Sequence, residues 1–410
     1  MRVMTIGLTA VVAVTVALPL LPAFTPRAAL ACGVVGTGTP GSCTEAALDA
    51  ALGCGAPSGS PPVSNCTGSG TVTFNCGGAA TFILTSGKTI STDTTIDGGS
   101  LITISGEKSI GIFDVNASVS FTLQNLTITK ASARTGAIYN GRGSLTITNC
   151  TFTGNAPGGS ISNAGTATIT NSTFSGNSRY GWAGDYNNDG AAIANGDFAG
   201  GETLTITNST FSGNYATYGG AIRNLNATVT ITNSTFSGNS AAYASDILND
   251  SGTVTVTNTI IASSGDSCEG SVTDGGHNID DGTSCGFTGT GCANTTGSSF
   301  CNTNPVLDPT GLQNNGGPTQ TIALQAGSPA INAGNESVCA ASPVNNLDQR
   351  GFGRPGTGVT NCSIGAFEFN SPAIPTLSNW GIIGFSSLAF AFVLWAGGRS
   401  RWRSPWNADC

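Results

Sequence analysis

Between Phe121 and Ser264 one phrase keeps returning: FTLQNLTI from Phe121, LTITNCTFTGN from Leu145, ATITNSTFSGN from Ala167, LTITNSTFSGN from Leu204, VTITNSTFSGN from Val229 and VTVTNTII from Val254. The aligned asparagines Asn125, Asn149, Asn171, Asn208, Asn233 and Asn258 are spaced 24, 22, 37, 25 and 25 residues apart. A period of this size means a stack of similar units, each burying its apolar face only against its neighbours. Strict alternation inside the phrase selects strand over helix: Leu145, Ile147 and Asn149 share one face, and Thr146 and Thr148 the other. A second short strand follows in each unit, at Gly136-Ala137-Ile138, Ser160-Ile161, Ala191-Ala192-Ile193, Gly220-Ala221-Ile222 and Asp246-Ile247, each with an Asn one or two residues on. Two or three strands per unit, joined by Gly and Asn corners, fit one turn of an all-β, right-handed, single-stranded parallel β-helix. A β-sandwich would need hairpins at less uniform spacing.

Stacked turns repeat at about 4.7–4.9 Å, so equivalent side chains lie over one another. The alignment therefore predicts an internal apolar stack of Ile128, Phe152, Phe174, Phe211, Phe236 and Ile261. It also predicts an internal ladder in which the amides of Asn125, Asn149, Asn171, Asn208, Asn233 and Asn258 bond from turn to turn and fix the register. Asn149, Asn171, Asn208 and Asn233 head N-x-S/T sequons, the acceptor sequence for glycans; placed inside the coil, they would admit none. The 37-residue step marks an insertion around Ser178 to Gly190, with a little more before Thr203. Asp185, Asn187 and Asp189 there match the opening of a calcium loop, although Gly196 stands where the bidentate Glu belongs. No other cofactor is expected.

Both ends differ from the shaft. Arg2 precedes an apolar run from Ile6 to Leu21, and Ala29-Leu30-Ala31 offers a signal-peptidase site, with Cys32 next if cleavage follows Ala31, which leaves lipidation of that residue open. Cysteines cluster at Cys32, Cys43, Cys54, Cys66 and Cys76, and again at Cys268, Cys285, Cys292, Cys301, Cys339 and Cys362. Read with export, they imply disulfide-stapled ends, since no C-x-x-C pair and only one His support metal. The expected organisation is a signal peptide over 1–31, a Cys-rich cap over 32–80, repeats over 81–265, a second Cys-containing region over 266–370 and a sorting segment over 371–410.

Charge and chemistry narrow the function. The formal net charge is −8, and Arg2, Arg27, Arg399, Arg401 and Arg403 lie in the end segments, so the basic footprint that nucleic acid requires is missing. Glycoside hydrolysis needs two carboxylates ~5–9.5 Å apart, yet the repeats carry Thr, Ser and Asn at their aligned positions. Arg223 reads as a surface residue and His277 as structural. Asp348-Gln349-Arg350-Gly351 reads as an internal salt bridge and turn.

Three stretches resemble one known group of bacterial surface proteins. The repeats with GGAI followed by Asn resemble those of polymorphic-membrane-protein-type β-helices. Residues 302–369, with NTNPVLDPTGLQNNGGPTQTIALQAGSPAINAGN, DQRGFGRP and CSIGAFE, resemble the close of proteins with a choice-of-anchor domain. Cys43-Thr44-Glu45-Ala46-Ala47-Leu48 and TFILTSGKTISTDTTIDGG are similar to the CSLREA-type opening of that group, without its Arg-Glu pair. The carboxyl end resembles an IPTL-type sorting signal: Ile374, Pro375, Thr376, Leu377, Ser378, Trp380 and Gly381, an apolar stretch of roughly transmembrane length, then Arg399, Arg401 and Arg403. The resemblance implies an exported protein processed by an exosortase-like membrane protease. The expectation is a non-catalytic surface or matrix protein whose Thr-rich face serves adhesion or polysaccharide contact. A polysaccharide lyase or glycoside hydrolase, or a purely structural coat protein, are the competing readings.

Overall fold

The computed structural model describes residues 33–370, apart from 57, 60–62, 180–189, 198 and 264. The expected signal peptide, Cys32, the residues expected to form a sorting signal with their apolar stretch, and Asp185, Asn187 and Asp189 lie outside the described residues. Among the described residues, no helix is long and apolar enough to cross a membrane.

The chain winds into a right-handed parallel β-helix of about nine coils. Each repeat contributes a long strand such as Ser144–Thr148, a corner, a short strand such as Thr151–Thr153, and a third strand such as Ile161–Asn163. From Ser144 onward equivalent long strands pair in parallel without slippage: Leu145 sits on Ala167, which sits on Leu204, then Val229 and Val254; before them, the pairing of Thr94–Ser105 with Ser120–Thr129 shifts register between Asp97 and Ile102. The winding extends past the recognisable phrase. Gly33–Val35 pairs with Gly70–Phe74, which pairs with Thr94–Ser105; at the far end Ile260–Ala262 pairs with Ile279–Asp280. Residues assigned above to the caps thus form coils themselves, because backbone pairing needs only extended chain in register.

Alternation places Leu and Ile inward and Thr outward, and the interior fills with like on like. Phe152, Phe174, Phe211 and Phe236 stack with ring centroids 4.8, 4.9 and 4.6 Å apart, tilted by no more than 5°. Ile128 and Ile261 pair with the two ends of this column. All six are fully buried. Each stacked pair adds about 0.5–1.5 kcal/mol beyond its burial.

The asparagines of the repeat phrase take a different place from the one alternation assigns. The strand ends at Thr148, and Asn149 turns the corner in the left-handed region at φ 55°; Asn125, Asn171, Asn208, Asn233 and Asn258 do the same at 47–55°. Asn tolerates that conformation where most residues do not, and the bend swings its side chain out of the coil. Only the first rungs form a ladder, Asn149 Nδ2 to Asn125 Oδ1 at 3.0 Å and Asn125 Nδ2 to Asp97 Oδ1 at 2.9 Å. Asn171 and Asn149 are only half-buried, so their sequons are not sealed in the interior.

Two other asparagine columns form the internal ladders. Asn155, Asn177, Asn214 and Asn239, the last letters of each TFSGN-type phrase, bond Nδ2 to Oδ1 at 3.0, 2.9 and 2.9 Å. Each Oδ1 also accepts a backbone N–H of the preceding coil, and Asn177, Asn214 and Asn239 also donate to the carbonyls of Phe152, Phe174 and Phe211. Asn140, Asn163, Asn195, Asn224 and Asn249, on the third strand, form the second column at 2.7–2.9 Å. A hydroxyl row fills the corner interior, with Ser172, Ser209, Ser234 and Thr259 each receiving the N–H of the coil before. Cys150 occupies the first place of that row as a free, buried thiol, which burial pushes up to about 12.

The ends are stapled within each cysteine cluster: Cys43 to Cys76, Cys54 to Cys66, Cys268 to Cys285, Cys292 to Cys301 and Cys339 to Cys362. Cys150, which lies between the two clusters, stays unpaired. Near the first coil lies the helix Glu45–Leu52, capped by Thr44 and ended by Gly53, with Leu48 and Leu52 buried. Its Glu45 and Asp49 both hold Lys88 Nζ at 2.7 Å, so this fully buried ammonium is doubly paired.

The placement of the asparagines yields a direct comparison. Asn214→Ala strips two rungs from a fully buried ladder and is expected to destabilise the fold by about 2–4 kcal/mol, read from the denaturant midpoint. Asn149→Gly keeps the left-handed corner and is expected to change stability by less than about 1 kcal/mol.

Candidate functional site

The outward positions of the long strands form a hydroxyl surface. The central column runs Thr71, Thr95, Thr122, Thr146, Thr168, Thr205, Thr230, Thr255 and Thr273, each paired in register with the next. At the strand spacing of about 4.8 Å this column is about 38 Å long. On one side stand Ser120, Ser144, Thr166, Thr203, Thr228 and Thr253; on the other Gln124, Thr148, Thr170, Thr207, Thr232 and Thr257. From Ser120 to Thr257 the three columns carry no charged side chain. Most of these hydroxyls remain exposed or half-exposed, Thr207 being the buried exception.

The side of the shaft next to this surface is covered by the chain itself. Residues 302–370 form a flap with a single short helix, Glu336–Ala340, and lie along the row of asparagine corners. Asn208 Nδ2 donates to Leu347 O, Asn258 Nδ2 to Asn335 O, and Thr319 Oγ1 to Asn171 O. Gln349 is the centre of the contact: its Nε2 donates to Thr173 Oγ1 and Thr319 Oγ1 at 2.8 and 2.9 Å, and its Oε1 accepts from Thr210 Oγ1 at 2.6 Å. Apolar packing joins Ile260 and Ile279 of the coils to Leu324, Ala330 and Ile364 of the flap. Gly365 lies so close that a Cβ would sit 2.8 Å from both Ile260 Cδ1 and Thr235 Oγ1.

The polar residues singled out in the sequence serve this architecture. Asp348 and Arg350 form the internal salt bridge at 2.7 Å, and the guanidinium lies between Phe352 and Phe367, 4.3 and 3.7 Å from their ring centres. Arg354 and Glu368, both fully buried, pair at 3.3 Å, and Arg354 also donates to Ser363 O and Gly365 O. His277 stands in a left-handed turn with Nδ1 2.8 Å from Ala333 O, tying the last coils to the flap. Arg223 contacts Asp250 at 2.5 Å and lies over the Tyr218 ring. Among the described residues, no group of three or more His, Cys, Asp or Glu could hold a metal ion.

Two carboxyls, Asp246 and Asp281, are held well above the ordinary carboxylate range. Asp246 caps the internal amide column, accepting from Asn239 Nδ2 and Ser263 Oγ at 2.8 Å, while its Oδ2 has no partner. Burial pushes its carboxyl up to about 7. Asp281 rises to about 6 through burial and the neighbouring Asp280, whose own carboxylate closes a turn onto the N–H groups of Gly282 and Cys285.

Residues 102–300 match the family described as a right-handed β-helix region. No curated protein and no solved structure matches the chain. The matched region holds most of the coils and the Thr surface, and the flap follows it.

Sequence reasoning gave the Thr surface directly but passed over the flap contact and Gln349. Gln349 stands inside the DQRG motif, whose neighbouring Asp and Arg had already been read as structural; the motif's Gln was the available signal.

Asp246 gives a pH prediction with a definite sign. Its folded-state pKa lies above the ordinary carboxylate value, so the unfolded chain binds fewer protons between pH ~4 and ~7. Stability should therefore fall as pH rises through that window, seen as a declining denaturant midpoint. Asp246→Asn continues the amide column without a charge and should flatten part of the fall. At constant pH, Gln349→Ala should speed hydrogen exchange in 318–321 and 347–349 while the coil strands keep their protection.

Proposed function

We propose that this chain is an exported, non-catalytic surface or matrix protein, whose Thr surface contacts a repetitive, weakly charged polysaccharide. The observation that carries the reading is the uncharged hydroxyl surface left open beside a side of the same shaft that the chain covers itself. Regularly spaced hydroxyls both donate and accept, and many weak contacts along a repeating ligand add through effective concentration. The IPTL-like end and the Arg cluster support processing by an exosortase-like protease, with the carboxyl segment as its membrane anchor before cleavage.

A catalytic reading would place paired carboxylates on neighbouring coils of this surface, where hydroxyls stand instead. A purely structural coat protein would bind no glycan at all. The separating experiment uses the full chain in detergent with insoluble xylan, cellulose, chitin and curdlan. Retention without new reducing ends or unsaturated products is expected. The triple variant Thr168→Val, Thr205→Val, Thr230→Val keeps side-chain shape and should lose about tenfold in affinity or more. Turnover of any polymer would overturn the non-catalytic reading, and absence of all retention would overturn glycan contact.

A further inference from the structure

A polar cleft of about 430 Å³ opens beside the Thr surface, lined by Arg142, Gly143, Ala164, Gly165, Thr166, Ala199, Gly200, Gly201 and Glu202. Thr166 belongs to both, since it is paired with Ser144 and Thr203 in the outer hydroxyl column. The volume falls in the range of small-ligand pockets. Glycines along the wall leave room for a ring to approach the backbone.

Arg142 and Glu202 give the cleft its chemistry, and Asp197 stands beside Arg142. Arg142 is two-thirds exposed, with one terminal nitrogen 3.8 Å from Asp197 Oδ2, so most of its five donors face open space. Asp197 is held by the N–H groups of Ala199 and Gly200 on its Oδ1. Glu202 is 95% buried, and its Oε2 has no hydrogen-bond partner. A buried polar atom left unpaired costs about 1–3 kcal/mol unless something arrives to pair with it.

We infer that this cleft receives one sugar ring of the glycan lying on the Thr surface, with Arg142 and Glu202 binding its hydroxyls. This rests on the glycan reading given above. A hydroxylated ring answers both needs of the site, since each sugar hydroxyl donates to a carboxyl oxygen and accepts from a guanidinium. Burial and the adjacent Asp197 push the Glu202 carboxyl up.

The test measures depletion isotherms of the full chain on xylan, cellulose, chitin and curdlan, with thermal melts confirming that each variant is folded. Arg142→Ala and Glu202→Ala should weaken binding about tenfold, the loss of one charge-assisted hydrogen bond. Glu202→Gln keeps an acceptor oxygen in the same shape and should stay within about threefold of the parent. Arg142 is a mostly exposed side chain, so its variant reports on binding even if the Glu202 variants fail to fold. If the parent binds, the Thr-column variant loses binding, and Arg142→Ala binds like the parent, the cleft inference falls while the glycan reading stands. If the parent binds none of the four polymers, both fall.

Discussion

The structure depends on parallel strands stacking in unbroken register, because only then does each buried amide meet its equivalent one coil away. An internal asparagine would cost about 2–7 kcal/mol if left unpaired. In the columns of Asn155 to Asn239 and Asn140 to Asn249 every inter-coil rung is made, at 2.7–3.0 Å. A coil displaced by one residue would lose its rungs on both sides and turn its Leu and Ile outward. The phenylalanine column adds apolar stacking to the same geometry. Hydrophobic and polar terms thus select one register together, which is the agreement across levels expected of a sequence that specifies one fold.

From that regularity the two faces acquire opposite fates. Alternation leaves the outward Thr positions as a uniform surface, while the left-handed asparagine corners bend the chain and leave a row of side-chain amides outside the coil. The flap uses those amides. Where it covers the shaft, Asn208 and Asn258 donate to flap carbonyls; where it does not, Asn149 and Asn125 bond along the shaft instead. The same residue type therefore serves as a ladder rung or a docking contact according to what lies beside it. The flap holds itself together with Arg350 between two aromatic rings and a buried Arg354–Glu368 pair, replacing the secondary structure that it lacks.

The coil, its period, the inward apolar stack and the outward threonines were legible in the sequence because each follows from alternation and spacing alone. The asparagine assignment was not, since every repeat carries three of them and alternation counts past the end of a strand. Asn149 was placed with Ile147 although the strand stops at Thr148, and a left-handed corner has no period to reveal it. The flap was legible only as a motif: the long-range bonds of Gln349 to Thr173 and Thr210 join positions more than a hundred residues apart, with no repeating signal to connect them. The cleft at Arg142, Asp197 and Glu202 was hidden for the same reason, because the residues come from different coils and from the end of the insertion.

The register claim is tested most directly by side-chain amide exchange, measured by NMR on the labelled full chain. The Nδ2 protons of Asn177 and Asn214 should exchange as slowly as the most protected backbone amides, and those of Asn125 and Asn149 far faster. Rapid exchange at Asn177 and Asn214, with protection at the corner residues instead, would contradict the account.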